Sequence, residues 1–68
     1  MGSVYKKIEV VGTSTESFDD AVRAAVAKAA ESVEAMSWFE VVEQRGRLQD
    51  GKVAEFQVTV KIGFKVLD

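Results

Sequence analysis

Apolar and polar residues alternate along three stretches of the chain, and in a fourth they recur at intervals of three and four. Over 4–11, Val4, Ile8 and Val10 fall on one side and Tyr5, Lys7 and Glu9 on the other, which predicts a half-buried strand closed by Gly12. Phe18, Val22, Ala25, Val26, Ala29, Val33 and Met36 then follow helical spacing, with Asp19, Arg23, Glu31 and Glu34 on much of the opposite side. Thr13, Ser14, Glu16 and Ser17 offer side-chain acceptors for a helix start, and Asp19 and Asp20 put negative charge in the first turn. This spacing predicts a helix that continues to about Met36, kept slim by alanines at 21, 24, 25, 27, 29, 30 and 35.

β-branched and aromatic residues return over 38–48, and Gln49-Asp50-Gly51-Lys52 reads as a tight hairpin turn. The last strand alternates most cleanly. Ala54, Phe56, Val58, Val60, Ile62, Phe64 and Val66 share one face, and Glu55, Gln57, Thr59, Lys61 and Lys65 the other, which marks it as the sheet centre. The element order is β-α-β-β. A helix crossing back over the sheet makes strands one and two run the same way and strand three opposite to both. The expected fold is α+β, a three-stranded antiparallel sheet of order 1-3-2 wrapped on one helix, with no helix left for the second face.

In strand two, Phe39 and Val41 share a phase that meets the helix, which sends Trp38, Glu40, Val42 and Gln44 to the uncovered face beside Glu55, Gln57 and Thr59. In strict phase Arg45 would enter the core. The strand therefore either runs past the end of the helix or carries a bulge near Gly46.

Composition explains why the uncovered face matters. A chain of 68 residues has room for one domain, 1–68, with a core close to energetic balance, and such domains usually rely on disulfides, a metal or other subunits. With no cysteine and no histidine, disulfides and tight zinc, iron or copper sites are excluded, and oligomerisation is the remaining means of stabilisation. No metal site is expected. The formal charge of −2 gives no basic field to attract nucleic acid or an anionic membrane, and no stretch approaches the roughly 20 apolar residues of a membrane-spanning helix. A soluble cytoplasmic protein is expected. The usual bases and thiol nucleophiles are missing, Ser3, Ser14, Ser17, Ser32 and Ser37 lack a recognisable activating lysine, and the strand carboxylates read as polar-face residues. An enzyme is not expected.

Trp38 is the sole tryptophan and lies away from the helix-packed core, so something flat or apolar should cover it. Pattern alone leaves two covers open: a neighbouring subunit, or a stacked ligand. The Gln57 carboxamide donates and accepts at once, which matches a heterocycle edge with adjacent N–H and C=O groups. Arg45 and Arg47 flank Gly46, and a guanidinium there suits a phosphate, a carboxylate, an aromatic ring or an intersubunit salt bridge.

Together these residues resemble a known family. Val-Tyr-Lys-Lys-Ile-Glu-Val-Val-Gly-Thr-Ser at 4–14, the alanine-rich helix, Ser-Trp-Phe-Glu-Val at 37–41, Arg45-Gly46, and Phe56-Gln57-Val58 leading to Gly63-Phe64 are similar to the dodecins, small flavin-binding proteins. The resemblance runs essentially end to end. It implies a hollow homododecamer with cubic 23 symmetry, in which flavins bind in pairs at two-fold interfaces, each ring between its partner flavin and a tryptophan. Trp38 matches that tryptophan, Gln57 the glutamine at the pyrimidine end of the ring, and Arg45 the arginine that bacterial members place at the ligand. Tyr5 and Lys65 are the candidates for the ribityl phosphate tail. Two positions depart from the pattern: Ser37 stands where relatives often have Asp, and Lys65 where arginine is common, keeping the charge without the bidentate fork.

The implied ligand is FMN or riboflavin, with coenzyme A as a further candidate. The implied role is storage, buffering and photoprotection of flavin, because an indole stacked on the ring can quench its excited state. Two alternatives stay in view. One is a structural or partner-binding oligomeric subunit without a functional flavin site. The other, a flavin-dependent oxidoreductase, is disfavoured because two stacked rings capped by Trp38 leave little room for substrate.

Overall fold

The computed structural model describes residues 2–67, so Met1 and Asp68 of the expected domain lie outside the described residues. The chain forms β1 (Tyr5–Ser14), α1 (Phe18–Ala29), β2 (Met36–Gln49) and β3 (Lys52–Lys65). Both neighbours of β3 pair with it antiparallel, giving the order β1-β3-β2 that the sequence predicts.

A compact hydrogen-bond clasp begins the helix. Ser17 is its N-cap and accepts from the Asp20 backbone N–H at 3.0 Å. Ser14, the last residue of β1, donates to the Asp20 carboxylate at 2.8 Å and accepts from the Glu16 N–H at 2.9 Å. Strand end and helix start are thereby fixed to one another. Thr13 and Ser14 belong to the strand, which runs through Gly12 and ends three residues later than the alternation predicts.

The helix stops at Ala29, well short of Met36. Alanine, serine and glutamate after that point carry no stop signal, so propensity alone would extend it. Tertiary pairing decides otherwise: Met36 is already paired with Phe64 on β3, and the chain must turn to reach it. Ala30, Ser32 and Val33 close the last turns through their backbone N–H groups, and Ala35, at φ 60°, redirects the chain into β2. The β2–β3 hairpin turns through Asp50 and Gly51, both at positive φ, as the Asp-Gly pair predicts.

Ala21, Ala25 and Ala29 of α1 and Val58, Val60 and Ile62 of β3 make up the buried core, flanked by Ile8, Val10, Phe18, Val22, Val26 and Met36. Phe18 and Phe56 close one end edge to face, with ring centroids 5.0 Å apart. A Cβ on Gly12 would collide with the Ala21 carbonyl oxygen and lie 2.8 Å from the Ala25 methyl. The helix can therefore sit directly on β1 and β3.

That placement leaves β2 outside. Phe39 and Val41 face the helix side, but they are 51% and 43% exposed, because the helix does not reach over them. With Phe18, Val22, Val26 and Gln44 they line an open groove of about 590 Å³. Gln44 lies there because β2 shifts register between Val41 and Glu43, again between Met36 and Trp38, and again between Arg47 and Leu48. The middle shift moves Gln44 to the helix side, opposite Val58, correcting its sequence assignment to the uncovered face. It also turns Arg45 outward, so the bulge required by its phase lies at Val42, upstream of Gly46.

A candidate ligand-binding face

Every sequence-predicted site residue lies on the sheet face that the helix leaves uncovered. The cross-strand pairs there are Tyr5 with Lys65, Trp38 with Gly63, and Arg45 with Gln57, all of opposite parity to the buried Ile62, Val60 and Val58. Because the pleat alternates, sharing this parity on β3 is enough to put them on one surface.

The residues form two clusters. At one end, the benzo ring of Trp38 lies over Gly63, occupying the space a Cβ there would need. Tyr5 leans against it, with ring centroids 5.3 Å apart and planes inclined by 55°. Trp38 and Tyr5 are 40% and 45% exposed, unusual for large aromatic residues of a small chain. Lys65 follows Tyr5 across the ladder. Beside them, Lys7 Nζ lies 2.6 Å from Glu40 Oε1. The hydrogen bond from Lys7 holds the Glu40 carboxyl below its ordinary 4.5, outweighing desolvation, with smaller help from the Lys7 and Lys61 charges and the Trp38 indole.

Toward the other end, Arg45 Nε donates to the Gln57 carboxamide oxygen at 2.9 Å, and Gln57 Nε2 donates to Glu55 Oε1 at 2.9 Å. Glu43 Oε1 lies 3.8 Å from Arg45 Nη1. Sequence reasoning singled out Arg45 and Gln57 without their mutual hydrogen bond, and it treated Glu55 as an ordinary polar-face residue. Alternation places Glu55 beside Gln57, but whether their side chains meet depends on rotamers that a sequence pattern does not carry.

The two clusters do not meet within one chain. Trp38 is opposite Gly63 and Arg45 opposite Gln57, and six residues of β-strand span roughly 20 Å. A ring stacked on Trp38 therefore lies beyond reach of the same chain's Gln57. A planar ligand using both an indole face and a carboxamide edge would have to take them from different copies of the chain. Among the described residues, no group of three or more acidic side chains gathers to hold a metal ion.

The dodecin family model matches residues 4–67. The chain is 46% identical over 66 residues to the dodecin of Thermus thermophilus, covering 97% of this chain and 96% of that one. The solved structure of the dodecin from Streptomyces davaonensis superposes with a TM-score of 0.94 at 41% identity, covering 100% of both chains. The calcium dodecin of Mycobacterium tuberculosis is 31% identical over 64 residues, covering 94% of this chain and 90% of that one.

Proposed function

The chain belongs to the dodecin family, and from that premise we propose that it is a flavin-binding storage and buffering protein. In this reading residues 1–68 form one dodecin-like unit, and twelve copies build the hollow assembly. Flavin, FMN first and riboflavin second, stacks on Trp38 of one copy while Gln57 of another meets the pyrimidine edge of the ring. Arg45 lies at the ligand beside Gln57, and Tyr5 and Lys65 are assigned to the phosphate tail. Coenzyme A remains a candidate for a separate site. The protein transfers no group and catalyses no reaction; it holds flavin and quenches its photochemistry in the cytoplasm.

The observation that carries the reading is Trp38 itself. Its indole is seated over Gly63 with much of its surface open, and a flat aromatic ligand is the cover best matched to that surface. Each aromatic contact contributes about 0.5–1.5 kcal/mol beyond area burial. An electron-rich indole in contact with an isoalloxazine is also placed to quench the excited ring. The separation of Trp38 from Gln57 supports binding at a seam between copies, because only an oligomer can bring the two groups to one ligand.

The test is a fluorescence titration of FMN with the wild-type protein and with Trp38→Ala. Wild type should extinguish most of the flavin emission, and the variant should bind more than tenfold more weakly while its assembly survives size-exclusion chromatography. Undiminished emission at high protein excess would overturn the proposal. A variant that falls apart into single chains would instead mark Trp38 as an interface anchor.

A further inference from the structure

We propose that Glu55 is a positioning residue that sets ligand specificity: with Arg45 it holds the Gln57 carboxamide in one orientation, so this part of the face selects rings with an unsubstituted imide edge. The inference rests on the reading of this face as a flavin site, which it deepens by naming what distinguishes acceptable rings from rejected ones.

Hydrogen-bond polarity decides which way the carboxamide faces. A guanidinium can only donate, and an ionised carboxylate can only accept. Arg45 Nε lies 2.9 Å from the Gln57 oxygen, and Glu55 Oε1 lies 2.9 Å from the Gln57 nitrogen. Rotating the carboxamide by half a turn would point its N–H groups at a cation and its carbonyl at an anion, exchanging two charge-assisted hydrogen bonds for two repulsions. Arg45 comes from β2, directly across the ladder from Gln57, while Glu55 lies two residues before Gln57 on the same face of β3. The amide is thus held from two strands.

These contacts use one oxygen lone pair and one N–H of the carboxamide, leaving one of each for a ligand. The complementary partner has a ring N–H beside a ring carbonyl, the pattern of a pyrimidinedione. A ring whose imide nitrogen carries a methyl group has no proton for the waiting lone pair. Where the amide is free to turn, part of that loss can be recovered by offering the ring carbonyls an N–H instead. Where it is held, the oxygen stays unpaired, and selectivity against the methylated ring is high.

The experiment measures the affinities of the assembled protein for riboflavin and N3-methylriboflavin in wild type, Glu55→Gln and Glu55→Asp. Wild type should prefer riboflavin by roughly tenfold or more. Glu55→Gln keeps the size but can donate as well as accept, which leaves Arg45 alone to oppose rotation of the amide, so the ratio should fall to roughly threefold or less. Glu55→Asp keeps an acceptor-only group and should restore most of the ratio, which a merely structural role for residue 55 would not predict. A wild-type ratio in Glu55→Gln, or a ratio in Glu55→Asp no better than in Glu55→Gln, overturns the positioning role while leaving flavin binding intact. Failure of wild type to take up riboflavin at all overturns the flavin reading and this inference with it.

Discussion

Trp38 keeps its place because residue 63 has no side chain. The indole occupies the volume that a Cβ would claim, so Gly63→Ala should displace the ring while leaving backbone pairing intact. The expected outcome is a shift in tryptophan emission and roughly tenfold weaker FMN binding, read in the same titration. Lys7 and Glu40 beside it make a pH-dependent contact. The folded Glu40 carboxyl titrates below its ordinary 4.5, chiefly because Lys7 donates to it. The stabilisation is therefore present above that ordinary value and is lost as pH falls through the lower folded one. Lys7→Met should raise the Glu40 titration midpoint toward 4.5 by NMR; an unchanged midpoint would deny Lys7 its role. Strand alternation identified the face of Trp38, Gln57, Tyr5 and Lys65, whereas Arg45, whose strict phase points to the core, reaches that face only through the bulge at Val42. The distance between Trp38 and Gln57 follows from the register that the Asp50-Gly51 turn starts, which puts Trp38 opposite Gly63, six residues along β3 from Gln57.

The helix is held to the sheet through backbone proximity as well as side chains. Gly12 lets the Ala21 carbonyl and the Ala25 methyl approach β1, so Gly12→Ala should destabilise the fold by about 1–3 kcal/mol and lower its melting temperature. A melting temperature equal to wild type would show that the helix can stand off without cost. Periodicity predicted this helix and its buried Ala25 and Ala29 but left out Ala21, and Ser17 is the one of four candidate acceptors that caps it, since caps and periodicity are local signals. It extended the helix to Met36 because alanine-rich segments carry no local stop; the actual end is imposed by the pairing of Met36 with Phe64. The bulge at Val42 was inferable only from the awkward phase of Arg45, which revealed that the ladder must slip but not at which residue.

As a whole the chain is too open to be a finished globule. Its radius of gyration is 14.1 Å, against about 11 Å for a compact chain of this length. Its accessible surface is 5001 Å², against about 4,200 Å² for a folded monomer of this mass. Along β2, Phe39, Val41, Val42 and Leu48 are exposed. Association would cover such a surface, and Phe39→Asp should shift the assembly toward smaller species by light scattering; an unchanged mass would exclude this groove from the subunit contacts. The absence of cysteine and histidine pointed to oligomerisation, and the exposed apolar residues of β2 are a surface that a neighbouring copy would cover. Assembly and flavin binding are read at once by native mass spectrometry of the protein with excess FMN. The expected species is a dodecamer carrying flavin up to one per chain, with Trp38→Ala giving the same dodecamer nearly empty; a wild-type dodecamer that stays empty, or flavin held by isolated chains, would overturn the proposed function.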